Sequence, residues 1–313
     1  MTTTYLEDLT LRLAQGVARL SEPVRARHAA FLKASQREDG GFAGREGASD
    51  LYYTGFALRG LALVGELDGE PARRAAAFLK GRLSGEAPIV DFLSLLYGAA
   101  LLRNAATIDI FAGVPHAWRE AVAETLERFR RPDGGYAKTD EGQSSSTYHT
   151  FLFVLANQLI GRPPREPEKL VTFVHSRRRD DGGFVEIGPM RKSGTNPTAA
   201  AVGLLKILDA LDNGTRQTAV DFLADAQNDE GGLTANTRIP LADVLSTFTG
   251  VMTLGDLGAS GEIDRVAARR FVESVELPGG GFRGGAWDEG TDVEYTFYGL
   301  GALALLTDDP LNG

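Results

Sequence analysis

The stretch "DDGGF", residues 180–184, decides how the chain is read. It does not stand alone. "EDGGF" ends at Phe42, "PDGGY" at Tyr136, "DEGGL" at Leu233 and "PGGGF" at Phe282. The copies start at positions 39, 133, 181, 230 and 279, with gaps of 94, 48, 49 and 49. The first gap is two periods of 47, which predicts a degenerate copy near position 86. "RLSGEAPIVDFLSLLYGAALL" stands there without the paired glycine. A fixed period of this length is the signature of a repeat architecture.

Each period has one grammar. An amphipathic segment comes first, as in "EKLVTFVHSRR" or "RQTAVDFLADAQ", with apolar residues three and four apart and charges on the other face. Asp-Gly-Gly stops it, because glycine takes the left-handed φ of a tight helix exit. A polar loop follows, then a helix apolar nearly all round, such as "TYHTFLFVLANQLIG" or "DVEYTFYGLGALALL". Apolar/polar alternation never persists, so strands are almost absent. The expectation is all-α: six helix hairpins over about residues 22–308 after an N-terminal helix at about 5–20, in a single domain covering 1–313. Six apolar inner helices can close into an α/α toroid, an α6–α6 barrel. An open solenoid has a similar period and stays open as an alternative.

Composition narrows the function. The chain has 313 residues, 43% hydrophobic and 24% charged, an ordinary globular balance. A net charge of −9 argues against nucleic acid or an anionic membrane surface as partner. With no cysteine, disulfides, thiolate metal sites and cysteine nucleophiles are excluded. The start, "MTTTYLEDLTLRLAQGVARL", reads as an amphipathic helix rather than a secretory signal. No run of about 20 apolar residues predicts a membrane span. The expected location is cytoplasmic.

"DGGF", a polar loop, then "D-x-x-Y-T-x-x-A-L" resembles the prenyltransferase/squalene-cyclase repeat. The likeness is greatest to protein prenyltransferase β subunits, above all those of the Rab geranylgeranyl type. It runs over nearly the whole chain. The resemblance implies a toroid holding an isoprenoid, a helical partner subunit, and a zinc ion bound by Asp, Cys and His. The zinc positions fall here on Asp243, Leu245 and Tyr295, so two of three ligands are missing. No metal site and no cofactor is therefore expected, and protein prenyl transfer of the usual kind is not expected either. The family's diphosphate-binding cluster falls near Arg191, Lys192 and Arg238, while Pro240 and Ser246 replace its Lys and Tyr. If the chain is an enzyme, these cations would aid diphosphate ionisation. Solvated loop charge is the plain alternative.

The inner-helix starts carry the other candidates. Asp50, Asp91, Asp243 and Asp292 occupy one column, four residues before Thr54, Leu95, Thr247 and Thr296, with Ser146 and Gly194 in the remaining copies. A recurring acid there reads as a helix cap. Asp243, Asp292 and Glu294 at neighbouring helix starts still leave open a carboxylate hydrolase or an oxygen-ligand Mg²⁺ site. His149 sits one residue before Thr150 and reads either as a general base or as a hydrogen-bonded, partly buried histidine. His28, His116 and His175 read as surface residues.

Tyr52, Tyr53, Tyr148, Phe248 and Tyr295 stand, with Phe56, Phe92, Tyr97, Phe151, Phe153, Phe297 and Tyr298, as the aromatic wall of a lipid pocket. The readings kept are an isoprenoid-binding toroid without zinc, a non-catalytic scaffold, and terpene-cyclase-like or carboxylate-based chemistry. The absent Asp-x-Asp-Asp motif weighs against the cyclase form.

Overall fold

The computed structural model describes residues 3–83, 87–115 and 117–307. Ser84, Gly85 and Glu86 of the degenerate copy, His116 and residues 308–313 lie outside the described residues. In chain order the helices are α1 (Tyr5–Ala18), α2 (Glu22–Ala34), α3 (Leu51–Leu63), α4 (Gly69–Lys80), α5 (Ile89–Ala106), α6 (Trp118–Glu127) and α7 (Thr147–Leu159). They continue as α8 (Pro167–Ser176), α9 (Thr195–Ile207), α10 (Asn213–Ala224), α11 (Val244–Asp256), α12 (Arg265–Ser274) and α13 (Val293–Leu306). Two short antiparallel pairs punctuate them: β1 (Tyr136–Ala137) with β2 (Ser145–Ser146), and β3 (Phe282–Arg283) with β4 (Thr291–Asp292).

The chain forms two compact units. The first holds Met1–Pro115 and Val272–Gly313, the second His116–Phe271. In the first unit α13 packs on α3 and α1, and α3 packs on α5. The last hairpin thus lies beside the first, which an open solenoid does not provide. In the second unit α9 lies between α7 and α11, with α8 and α10 against it. The apolar α5 is long enough for a membrane span, but it packs along α3 and α4 as a core helix.

The glycine motif explains how hairpins stack. Gly182 has φ +88°, and a Cβ there would come within 2.5 Å of the Thr218 carbonyl oxygen. Only glycine allows both the turn and that approach of loop to the following outer helix. Gly280, at φ +93°, meets the Arg27 carbonyl in the same way, so the sixth loop docks on α2.

The aromatic or aliphatic residue after the glycines is tied to the inner helix. Phe42, Tyr136, Phe184 and Leu233 each donate a backbone N–H to Thr54, Thr150, Thr198 and Thr247 respectively, all at 2.9 Å. A buried N–H needs such a partner, which is why the threonine column recurs.

The acid column behaves as caps with one exception. Asp50, Ser146, Asp243 and Asp292 are N-caps that accept from Tyr53, His149, Ser246 and Tyr295 N–H. Asp91 is no cap. α5 begins early, with Pro88 at the N-cap and Asp91 inside the first turn, because proline's fixed φ starts the helix before the acid. Two further expectations need correction. His28 is not a surface residue: it is 0% exposed and stacked on Phe282 at 4.8 Å. Phe153 is no pocket wall: it stacks on Tyr136 at 4.7 Å and is fully buried. His175, at the end of α8, is half-buried.

Candidate functional site

In the first unit the heads of α3 and α13 build a site. Asp50 caps Tyr53 N–H at 2.8 Å and Asp292 caps Tyr295 N–H at 2.9 Å. The two capped turns set Tyr52, Tyr53, Glu294 and Tyr295 side by side. Tyr52 donates its hydroxyl to Glu294 Oε1 at 2.6 Å. Arg45 reaches in from the first repeat's loop. Its guanidinium donates to Asp288 Oδ1 at 2.8 Å and Oδ2 at 2.5 Å, to Asp292 Oδ2 at 3.3 Å and to the Gly290 carbonyl at 3.1 Å. It also lies over the Tyr295 ring, 5.5 Å from the centroid. A cavity of about 490 Å³ opens here, bounded by Arg45, Glu46, Tyr53, Trp287, Glu294 and Tyr295 among others. Trp287, 56% exposed, stands at its edge.

Electrostatics divides the acids. The Arg45 guanidinium holds Asp288 down to about 2. Burial pushes Glu294 up toward its neutral form, with Asp292 adding to the rise and the Tyr52 hydrogen bond opposing it. Burial, with Glu294 and Asp292 close by, pushes Tyr295 up to about 12. One carboxyl therefore keeps its proton more readily while its neighbour stays ionised.

Behind this polar rim runs an aromatic stripe. Tyr52, Phe56 and Arg59 lie on one face of α3, four and three residues apart. Phe56 meets Tyr52 at 5.0 Å, Tyr298 at 5.2 Å and Phe297 at 5.6 Å. Arg59 covers the rings of Phe56 (4.7 Å), Tyr97 (4.9 Å) and Phe297 (5.9 Å). Its Nε is buried without a hydrogen-bond partner among the described residues, and its charge pulls the Glu294 carboxyl down against the effect of burial. A guanidinium caged by rings is held by cation–π attraction, and the Nε–H is left for another acceptor.

The second unit holds the remaining candidates. His149 sits at the head of α7 with Ser146 and Glu186, and Tyr148 is exposed beside it. At the head of α11 both Asp243 oxygens are engaged, by Ser246 N–H at 2.7 Å and Ser246 Oγ at 2.8 Å. Phe248 is buried in that helix. Arg191, Lys192 and Arg238 are exposed. Their loops are neighbours, since Thr195 N–H donates to the Ala235 carbonyl at 2.9 Å. No ion pair engages the three cations among the described residues.

Sequence reasoning missed Arg45, Asp288, Arg59 and Glu186. Only Arg59 had a signal, its place on the Tyr52–Phe56 stripe. The others sit in loops that differ from repeat to repeat. Among the described residues no group of three or more His, Asp or Glu side chains is placed to hold a metal ion.

A family model described as prenyltransferase alpha-alpha toroid domain matches residues 12–87 and 95–312, a span that takes in both units. No curated protein sequence matches the chain. Among solved structures, Candida albicans protein geranylgeranyltransferase-I complexed with GGPP is similar with a TM-score of 0.72 and 16% identity, over 90% of this chain and 91% of that one. A variant of a Scytonema type II terpene cyclase, in complex with geranylgeranyl dihydroxybenzoate, has a TM-score of 0.61 and 14% identity, over 96% and 98% of the two chains. An alpha-1,6-mannanase from Salegentibacter has a TM-score of 0.60 and 13% identity, over 90% and 98%. At these identities the likenesses establish the α/α toroid fold and leave the chemistry to the residues.

Proposed function

Because the chain belongs to the prenyltransferase alpha-alpha toroid family, we propose that it binds an isoprenoid-type ligand, free or as its diphosphate, at the aromatic face of α3 and α13 without using zinc. Arg59 carries this reading. A cation caged by Phe56, Tyr97 and Phe297, with no hydrogen bond to the Glu294 carboxyl whose charge it feels, suits an amphiphile with an apolar chain and an anionic head. The solved relatives complexed with GGPP and with geranylgeranyl dihydroxybenzoate support an isoprenoid as the apolar part. Arg191, Lys192 and Arg238 are proposed as an anion contact of the second unit.

The zinc that the family likeness implies does not fit the residues present. Asp243, which caps α11 through Ser246, is the one carboxylate among the three matching positions. Leu245 offers no donor atom. The Tyr295 hydroxyl is pushed up to about 12 and stays protonated. Zinc needs about three protein ligands of N, O or S type, and no step of the proposal runs through it.

A second reading has its own observation. Glu294, which burial pushes up, shares a cavity with Asp288, which the Arg45 guanidinium holds down. That is the division of labour of a proton donor and an anionic stabiliser. It keeps acid-initiated isoprenoid or carboxylate-based hydrolytic chemistry in view. A helical partner subunit and a cytoplasmic location belong to the proposal as well.

Calorimetry with geranylgeranyl diphosphate, farnesyl diphosphate and the parent alcohols tests the main reading. Binding is expected, and Arg59→Met should weaken the diphosphates more than the alcohols. No heat at high micromolar ligand would overturn the isoprenoid assignment. Equal loss for both ligand types would remove Arg59 from the anion site.

A further inference from the structure

At the head of α7 three side chains share one hydroxyl. Ser146, 6% exposed, caps the helix. Its Oγ donates to Glu186 Oε1, accepts the His149 backbone N–H at 3.1 Å and lies 2.8 Å from His149 Nδ1. The Glu186 loop is fixed there. Thr147 N–H donates to the Glu186 carbonyl at 2.9 Å, Thr147 Oγ1 donates to the Val185 carbonyl at 2.7 Å, and Tyr148 N–H reaches both carboxylate oxygens at 3.3 Å. In the other described copies of the motif the position matching Glu186 is Gly44, Lys138, Ala235 or Gly284, so the arrangement belongs to this repeat alone.

A serine hydroxyl has one proton and two lone pairs. An ionised Glu186 only accepts, so it takes that proton. The backbone N–H of His149 fills one lone pair. The second is left for Nδ1, which must then carry the hydrogen. Nε2 is bare, and it has no partner among the described residues. When Glu186 is protonated the order reverses. Its O–H fills the second lone pair, the Ser146 proton turns to Nδ1, and Nε2 carries the hydrogen.

We propose that His149, Ser146 and Glu186 form a proton relay, in which His149 Nε2 takes a proton from a hydroxyl-bearing ligand and Glu186 receives the proton at the far end. The ligand O–H bond breaks and an Nε2–H bond forms. The Nδ1 proton passes to Ser146 Oγ, and the Ser146 proton passes to Glu186 Oε1. The ligand oxygen keeps its electron pair, and the imidazole ends neutral. Ser146 and Glu186 are positioning residues; His149 meets the ligand. The proposal does not rest on the isoprenoid reading.

The surroundings suit such a relay. Burial pushes Glu186 up, while the bonds from Ser146 and Tyr148 N–H and the charge of Arg177 pull it part of the way back. Burial pushes His149 down, and Lys138 adds to that fall. A carboxyl raised by burial is the better final acceptor of the proton, and an imidazole lowered by burial resists holding a charge, so the proton is passed on rather than kept. The Tyr148 ring stands edge-on to the imidazole at 5.5 Å.

Nitrogen-15 NMR of the imidazoles in the full chain at about pH 8, above ordinary histidine values, reads the tautomer directly. Wild type is expected as the Nδ1–H form. Glu186→Ala removes the acceptor of the Ser146 proton, which should turn to Nδ1 and convert His149 to the Nε2–H form. Ser146→Ala removes the acceptor at Nδ1 and should shift it the same way. Acylation by diethyl pyrocarbonate, followed on the His149 peptide, should slow several-fold in Glu186→Ala, because the reagent needs the bare nitrogen. An Nε2–H tautomer in wild type would overturn the relay. So would a folded Glu186→Ala or Ser146→Ala with the wild-type tautomer and acylation rate.

Discussion

Nδ1 of His28 accepts a hydrogen bond from Gly281 N–H at 3.1 Å, joining residues 253 positions apart in sequence. The bond settles the tautomer: Nε2 carries the hydrogen and donates to Glu276 at 2.8 Å. The imidazole also stacks on Phe282, and Arg27 pairs with Glu276. The first outer helix is thereby fastened to the sixth loop. Replacing His28 with alanine leaves a buried N–H unpartnered and opens a cavity. We expect a loss of about 2–4 kcal/mol of unfolding free energy in urea titration. A loss below about 0.5 kcal/mol, the range of surface substitutions, would mean the bond does not fasten the seam.

The Arg45–Asp288 pair predicts acid sensitivity. Asp288 is held at about 2 in the folded chain, against 3.8 for a free aspartate. A carboxyl lowered by folding stabilises above its unfolded value and loses that contribution as pH falls through its folded one. Arg45→Gln should cost about 1–2 kcal/mol at neutral pH, since the pair is charge-assisted but Arg45 is partly exposed. The difference between variant and wild type should shrink between pH 4 and pH 2, when unfolding is followed across that range. A difference independent of pH would assign the effect to packing.

The threonine column was visible in the sequence only as a spacing; the structure gives it a bond. Thr247 Oγ1 accepts Leu233 N–H at 2.9 Å and donates to the Asp243 carbonyl at 2.7 Å. Thr247→Val keeps the shape and orphans a buried N–H, at a cost of about 1–3 kcal/mol. Amide exchange at Leu233 should quicken by more than the global loss of stability accounts for. Unchanged exchange relative to other core amides would contradict the role of the hydroxyl.

The hairpin count, the inner and outer helices and the glycine turns were legible because each repeats, and repetition raises a weak local signal above chance. What did not repeat was hidden. Arg45 and Asp288 meet across loops from opposite ends of the chain, and no local pattern encodes that meeting. His28 shares the buried face of α2 with Ala29 and Leu32, yet a polar residue on a helix reads as solvent-facing until its partner is known. Pro88 shifted the start of α5 and moved Asp91 out of the column it matched by spacing. Glu186 has no counterpart in other copies, so the Ser146–His149 contact was seen only as a histidine beside a hydroxylic cap.

Glu294 gives a prediction of opposite sign to Asp288. Burial raises it above 4.5. An acid raised by folding adds stability that is present below its unfolded value and lost as pH rises through its folded one. Glu294→Gln has no such loss. The variant should therefore gain on wild type as pH rises above 4.5, then level off, in thermal unfolding followed from acid to pH 9. If wild type gained instead, the carboxyl would have to be better stabilised as an anion, and the proton-donor reading of the cavity would fall.

Asp243 separates capping from chemistry. Its carboxylate holds Ser246 N–H and Oγ at the start of α11, and Leu245 has nothing to coordinate. Asparagine caps a helix about as well as aspartate, and alanine does not. Asp243→Asn should therefore unfold close to wild type, while Asp243→Ala should lose about 1 kcal/mol. Burial pushes the Asp243 carboxyl up, which further reduces its worth as an anionic ligand. Elemental analysis of purified protein should find no stoichiometric zinc in wild type or in either variant. One zinc per chain in wild type, lost in Asp243→Asn although the helix is still capped, would show the carboxylate to be a metal ligand after all.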